Sequence, residues 1–472
     1  MRYNTTIGLE IHIHLGSKTK IFCSCSTAYT KEPNTHTCPI CLGLPGTLPV
    51  LNEKTFHYAI KAALALNCTL ADYITFDRKN YYYPDLPKNY QISQYSRPVG
   101  RNGFLTINNR DIHINRIHME EDAGKLMHSE DNKRSFIDYN RTGVPLIEIV
   151  TEPDIHSPQE AYEFLQELRT TILYLDISDC NMEEGSLRCD SNISLAKEGA
   201  KKLGRKIELK NMNTFRGVKQ ALEYEIERQR MVLEDGGDII HETRLWDQSK
   251  QMTVTMRKKE DVHDYRYLPE PDLVKYEITA ELEEEIKRDL PESPAKRRAR
   301  FKSDYNLNDY DINLLVKNKN IGDYFENVLK NYNNPKAACN FITSDIIGAS
   351  NDSKIEFKNI KLSVSNCAKL LNMIENKDIS IKIAKTILSE LIKNDIDPLV
   401  VVEKKGLMQI NKASDIKNII TQVVKDNPNA VEDFKSGKEE VVKFLIGQVM
   451  KLTKGTANPE IVNKLLKEEL GG

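Results

Sequence analysis

The sequence predicts an α+β fold: a large, mostly antiparallel β-sheet domain with flanking helices over 1–292, an all-α helical domain over 293–405, and a small helical tail domain over 406–472. Three observations carry this. Upstream of Leu290, segments such as IGLEIHIHL, GSLRCDSNISL and QMTVTMR alternate polar and apolar residues with period two and keep one polar face. Antiparallel sheets tolerate such a face, whereas parallel sheets rarely do. Between these segments lie capped helical stretches, and past Leu290 the apolar spacing turns helical, as in SIKIAKTILSELIKN, where Ile383, Ile387 and Leu391 form a stripe.

Composition narrows the function classes. At 472 residues and 40% hydrophobic, the chain has material for several cored domains. Its 67 basic residues against 69 acidic ones leave a net charge of −2, so no bulk field advertises nucleic acid or an acidic membrane, and any RNA contact must come from local patches. No charged start leads into an apolar h-region and no apolar run has the length of a bilayer span, which predicts a soluble cytoplasmic protein with no membrane partner. The nine cysteines are too sparse for a disulfide scaffold. Four of them crowd into one short segment, which points to a metal site.

In chain order, IGLEIHIHL comes first. Leu9, Ile11, Ile13 and Leu15 would cover a core, while Glu10, His12 and His14 stand in a row on the other face, about 6.5–7 Å apart. Glu10 and His12 could therefore reach one ion or one substrate group; an edge strand with a wet face is the plainer alternative. Next, Cys23 and Cys25 form a C-x-C pair and Cys38 and Cys41 a C-x-x-C pair. Four thiolates so spaced can close a tetrahedral zinc site, with His36 a conceivable substitute ligand and two unrelated reduced pairs the alternative. With every position taken by protein, such a zinc is structural. Asn52 then caps a helix carrying Phe56, Ile60, Ala63 and Leu64.

The following FDRKNYYYPDLPKNYQISQY interleaves Arg78, Lys79 and Lys88 with tyrosines. Such a loop could hold phosphates and stack a base, although an edge strand with solvated charges looks similar. In NRDIHINRIHMEEDAGK, His118 and Glu120 share one face of a strand and Met119 and Glu121 the other, so only one of the paired glutamates can face the polar row of the opening strand. In TGVPLIEIVTEP, Glu148 interrupts an apolar run typical of a strand buried on both faces. An unpaired carboxylate there would cost several kcal/mol, so Glu148 requires a metal ion or a buried Lys or Arg. Ser157, Pro158 and Glu160 spell an N-cap, a first-turn proline and a capping box, followed by Ala161, Phe164, Leu165, Leu168 and Ile172 at helical spacing. Pro291 and Pro294 mark a linker into a helix bearing Lys296, Arg297, Arg298, Arg300 and Lys302, which reads as a solvated face. In the tail, Val442, Leu445, Ile446 and Val449 pack one helix, and Asn458 and Pro459 start another.

GLEIHIHL, the cysteine pairs, FDRKNYYYPDLPKNYQISQY, HMEEDAGK, RTGVPLIEIVTEPDI, MEEGSLRCDSNISL, ELKNMNT and DYRYLPEPDL, taken together and in order, resemble the B-subunit family of the aspartyl/glutamyl-tRNA amidotransferases. The resemblance extends to the last helix and implies a cradle-shaped catalytic domain that binds a misacylated tRNA, Glu on a glutamine tRNA or Asp on an asparagine tRNA. It implies that ATP and Mg²⁺ serve to phosphorylate the side-chain carboxylate. Ammonia from a partner amidase, the A subunit of a complex completed by a small C subunit, would then give the amide. The family's magnesium set maps to Glu10, His12, Glu121 and Glu148, and the nucleotide neighbourhood to Lys79 and Asn80. Some family members lack the four cysteines, so this chain resembles the zinc-bearing branch. The resemblance also implies that the tail reaches the tRNA body; Lys451 and Lys454 are its best local candidates for phosphate contacts.

The chemistry is consistent with that. A carboxylate is a poor acyl donor until its oxygen becomes a good leaving group, and phosphoryl transfer asks for charge neutralisation rather than covalent help. His12 is the odd member of the set, since Mg²⁺ prefers oxygen ligands. Neither a Walker phosphate loop nor a protein-kinase HRD and DFG pair is present, so ATP would be handled on another scaffold. The alternative is a non-catalytic tRNA-binding scaffold with structural metal sites; a zinc hydrolase is disfavoured because the cysteine set leaves no open position.

Overall fold

A computed structural model describes residues 2–129, 131, 133–258, 265–409, 413–436, 438, 440–453 and 455–471. The chain divides into two compact units, 1–294 and 295–472. The first is built on a nine-stranded sheet in the order Met252–Lys258, Glu242–Asp247, Ile207–Lys210, Leu187–Lys197, Tyr3–His14, Pro145–Thr151, Arg110–Glu121, Gly100–Ile107 and Thr69–Leu70. Every neighbouring pair runs antiparallel except Ile207–Lys210 with Glu242–Asp247, so the expected mostly antiparallel sheet is what the chain forms.

The opening strand is not an edge. It lies at the middle of the sheet, with Leu187–Lys197 on one side and Pro145–Thr151 on the other. Its alternation divides the two faces: Ile7, Leu9, Ile11 and Ile13 are fully buried and join one apolar cluster with Phe164, Leu165 and Leu168. Helices Glu53–Ala65, Pro158–Tyr174 and Phe215–Glu234 cover that apolar side. The opposite face, free of these helices, carries the polar residues.

Local chemistry sets the helix starts. The side chain of Asn52 accepts from the Thr55 amide, and that of Ser157 from the Glu160 amide at 3.1 Å. The capping box at Ser157 is only half formed. Glu160 instead accepts from the His156 amide at 2.7 Å and from Arg110, whose guanidinium draws the carboxylate away from the cap. A small separate sheet joins Leu268–Pro269, Asp77–Asn80 and Tyr90–Ser93; this last strand packs beside Arg110–Glu121.

All named elements of the second unit are helical. The Pro294–Tyr305 helix does not present its cations to solvent as a simple charged face. Arg297 is 3% exposed and pairs with Asp323 at 2.7 Å and with Glu326. Gly322 leaves it room: a Cβ there would stand 2.9 Å from the Arg297 guanidinium carbon. Arg300 shares Glu326 at 2.6 Å, and Lys302 meets Asp309 at 2.8 Å. Near the C-terminus, helices Ala413–Asp426, Val441–Leu452 and Pro459–Leu470 enclose an apolar cluster of their own around Ile416, Ile420, Leu445, Val449 and Leu466, and Asn458 caps the last helix by accepting from the Glu460 amide at 3.0 Å. Among the described residues no helix is long and apolar enough to cross a membrane.

Phe164 anchors the helix layer to the sheet with no exposed surface. Phe164→Ala should cost about 3–5 kcal/mol of stability, read as a lower urea midpoint for unfolding.

Candidate metal centres in the first unit

The register explains how distant motifs meet. His12 stands opposite Glu148 on one neighbour and opposite Arg188 on the other, and Glu148 in turn stands opposite His118. Residues directly opposite in antiparallel strands project to the same face, so His12, Glu148 and His118 form a row across three strands. One step along, His14 leads to Leu146 and then to Glu120. The sheet therefore selects Glu120, not Glu121, for this face.

Glu148 is the hub. It is 3% exposed, and its Oε2 lies 3.2 Å from His12 Nε2 and 3.4 Å from His118 Nε2. The cation partner that its burial demanded is thus a pair of imidazoles rather than Lys or Arg. His118 Nε2 is also 3.5 Å from Glu120 Oε2, which Lys79 Nζ approaches to 3.9 Å. Glu120 is held further by Gln91, whose Nε2 donates to Oε1, and by Ser93, whose Oγ donates to Oε2 at 2.9 Å. Ligand atoms of Glu10, His12 and Glu148 lie within 4.8 Å of one another, and so do those of His118, Glu120 and Glu148.

The electrostatics are those of a compact, water-poor cluster. Burial disfavours charge on His118, yet Glu148 and Glu120 outweigh it and raise the imidazole to about 9. His12 is likewise raised, the Glu148 hydrogen bond and charge overcoming burial. Glu148 is held well below the usual carboxylate range: against burial, His118 and His12 stabilise its charge. Glu10 behaves in the opposite way, pushed up by burial and by the nearby Glu148 charge. Its side chain makes no hydrogen bond to any described residue. That repulsion between Glu10 and Glu148 is what a divalent cation would relieve, so the donor set fits an oxygen-seeking ion flanked by imidazoles.

The remaining expected residues divide clearly. Glu121 points to the other side of the strand, where Oε1 accepts from Lys88 Nζ and, at 2.9 Å, from the Ile92 amide. The structure does not bring it to the Glu148 group, because consecutive strand residues face opposite ways. Lys79 borders the group, its ammonium 5.2 Å over the Tyr265 ring. Asn80 braces the loop, donating through Nδ2 to the Arg266 carbonyl at 2.7 Å. His14 Nε2 donates to Asp122 Oδ2 at 2.7 Å, and Asp122 also takes Arg188 at 2.9 Å and Arg141 at 3.3 Å. Lys451 closes the Val441–Leu452 helix as an exposed residue, while Lys454 lies outside the described residues.

Cys23, Cys25, Cys38 and Cys41 converge, all four sulfurs within 4.8 Å of one another. Thiolates on one tetrahedral zinc stand roughly 3.8 Å apart, given Zn–S bonds of about 2.3 Å, so the set fits that ion with modest contraction. His36 is not in the group; its carbonyl accepts from Lys20 Nζ at 2.7 Å. The same buried ammonium lies 3.7 Å from Cys41 Sγ. Cys41 is held well below the ordinary thiol range, first by the hydrogen bond with Cys23 and further by Lys20, so one thiolate forms readily there.

Sequence reasoning missed His118 and Lys20 as functional partners. His118 was legible as sharing the face of Glu120, but only the pairing of Arg110–Glu121 with Pro145–Thr151 brings it onto Glu148. Lys20 had no signal beyond a position close to Cys23. In metal-free protein, proton NMR should show the His118 imidazole titrating near pH 9. Because the folded value exceeds the unfolded one of about 6.5, the stability this contact supplies should be full below that pH and drain as pH rises through 9. A His118→Asn variant should lack that limb in a plot of Tm against pH.

Residues 5–284 match the GatB/GatE catalytic domain, and residues 323–470 match the GatB domain. The B subunit of the aspartyl/glutamyl-tRNA(Asn/Gln) amidotransferase of Carboxydothermus hydrogenoformans is 52% identical over 475 residues, covering 99% of both chains. Its counterpart in Thermoanaerobacter pseudethanolicus is 52% identical over 474 residues and the full length of both. That of Brevibacillus brevis is 46% identical across 99% of each. A catalytic-domain match over the whole sheet-bearing unit favours an enzyme component over a passive scaffold. By residues, by register and by length, this chain belongs to the family of aspartyl/glutamyl-tRNA(Asn/Gln) amidotransferase B subunits.

Proposed function

We propose that this chain activates the side-chain carboxylate of Glu-tRNA(Gln), of Asp-tRNA(Asn) or of both, by phosphoryl transfer from ATP, so that ammonia can displace the phosphate. The oxygen of the carboxylate attacks the terminal phosphorus, ADP leaves, and the acyl phosphate then takes ammonia, losing phosphate and one proton to give the amide. The ammonia would come from a partner amidase, the A subunit, in a complex that includes a small C subunit. The single observation that carries the reading is the convergence of Glu10, His12, Glu148 and Glu120 on one face of a rigid central sheet.

A bound magnesium ion would supply neutralisation of the triphosphate charge and of the charge that develops during transfer. Glu10, Glu148 and Glu120 are the groups we assign to hold it, with Glu120 taking the place expected of Glu121. His12 and His118, given the preference of that ion for oxygen, orient the Glu148 carboxylate. Lys79 places a cation beside Glu120 where a phosphate oxygen could be met, and Asn80 fixes the loop that carries it. At the cysteine group a zinc ion would hold the knuckle closed, Lys20 offsetting part of the thiolate charge.

Incubating the assembled enzyme with Glu-tRNA, labelled ATP and Mg²⁺ but no amide donor should release phosphate only when the tRNA is charged. Glu148→Gln or Glu10→Gln should lower that release on the order of 10²–10³-fold, as when one charge-stabilising group is removed; unchanged release defeats the reading. Glu120→Gln should weaken Mn²⁺ binding, measured by electron paramagnetic resonance, more than Glu121→Gln does.

We further propose that residues 406–472 act as a tail domain, separate from 293–405, that contacts the tRNA body through Lys451 and Lys454. Converting both lysines to Ala should weaken tRNA binding and flatten the slope of log K against log salt by about 1 per lost phosphate contact. Equal affinity at low and high salt would remove these lysines from the interface.

A further inference from the structure

Glu121 is excluded from the Glu148 group yet is as deeply buried as its neighbour, and it is paired with a cation whose side chain is also buried. Lys88 and Glu121 side chains are 8% and 3% exposed. Desolvating such a pair offsets most of its attraction, so it contributes little net stability; what it fixes is geometry. The geometry in question belongs to Tyr90–Ser93. This four-residue strand holds both glutamates at once: the Ile92 amide donates to Glu121 Oε1 at 2.9 Å, Gln91 donates to the Glu121 carbonyl at 2.7 Å and to Glu120 Oε1, and Ser93 donates to Glu120 Oε2 at 2.9 Å. A shift of Tyr90–Ser93 must therefore move Glu120.

The knuckle presses on the other end of this linkage. Gly43 follows Cys41 by two residues, has φ +65°, and a Cβ on it would lie 2.2 Å from Lys88 Cγ. Only a glycine allows the turn to lie against the lysine stem this closely. The turn is tied to the cysteine segment by hydrogen bonds from the Leu42 amide to the Cys38 carbonyl at 3.1 Å and from the Gly43 amide to the Ile40 carbonyl at 3.0 Å. Between knuckle and strand remains a cavity of about 200 Å³ lined by Cys41, Gly43, Lys88, Ile92 and Glu121.

We infer that the cysteine knuckle sets the position of the Glu120 carboxylate through Gly43, Lys88 and Glu121, which makes Lys88 and Glu121 positioning residues for the cation group on the far face of the strand. Metal at the cysteines and metal at the carboxylates are then coupled, although no residue touches both. The inference rests on the cation role proposed for Glu148 and Glu120.

Mn²⁺ binding by the full chain in its complex, followed by electron paramagnetic resonance, tests the coupling, with zinc content and Tm measured on every sample. Lys88→Met should weaken Mn²⁺ on the order of tenfold, the usual effect of losing an outer partner of a ligand, with zinc retained at the unmodified level. Lys88→Arg should recover most of the affinity. Gly43→Ala, which displaces Lys88 without removing its charge, should give the same loss and serves if Lys88→Met does not fold. Extraction of zinc with a thiol-selective reagent should lower Mn²⁺ affinity, and restored zinc should recover it. Unchanged Mn²⁺ affinity in Lys88→Met or Gly43→Ala overturns the inference. So does an equal loss in Phe164→Ala, which would make the effect one of general destabilisation. Glu148→Gln is the separate control: if it leaves Mn²⁺ binding untouched, the cation site itself is wrong.

Discussion

A carboxylate placed at the middle of a nine-stranded sheet is the constraint on which the first unit turns. Glu148 sits in a run of Leu146, Ile147, Ile149 and Val150, where an ionised group without partners would cost several kcal/mol. Two imidazoles, His12 and His118, meet it from the two adjoining strands. Each is stabilised in its charged form by that contact, so the three groups hold one another's protonation states. Strand order, register and side-chain identity have to agree for this to happen. Displacing any of the three strands by one residue would send its member to the apolar side.

The apolar side is what makes that register rigid. Ile7, Leu9, Ile11 and Ile13 are packed beneath Phe164, Leu165 and Leu168, and interiors of that density resist sliding. A site assembled on strands rather than on loops inherits this precision. The polar face, by contrast, is left free of the three covering helices, and Gln91 and Ser93 of the Tyr90–Ser93 strand hold Glu120 there. Glu10 belongs to this polar side, where burial and the Glu148 charge raise it while His12 and Lys210 act in the opposite direction.

Burial also separates structure from chemistry among the cations. Arg297 lies in a basic run that reads as a solvated helix face, yet it is enclosed, with Gly322 giving it space and Asp323 and Glu326 neutralising it. Lys20 and Lys88 are enclosed as well, one against the cysteine knuckle and one against Glu121. None of the three has a helical or strand period that would mark it as interior. Their partners are 16 or more residues away in sequence, beyond the reach of any local pattern.

Local sequence sets the elements and their faces: the alternation of IGLEIHIHL, the caps at Asn52, Ser157 and Asn458, the four cysteines, and the demand of Glu148 for a partner all follow from periodicity and the cost of burying charge. It also limits the HMEED motif to one glutamate on the shared face. Which glutamate that is depends on the assembled sheet. Alternation says that Glu120 and Glu121 part company, but only the pairing of Glu148 with His118 puts Glu120 beside the opening strand and turns Glu121 toward Lys88. Pairing of strands distant in sequence is set by the whole core at once, and no window of residues contains it.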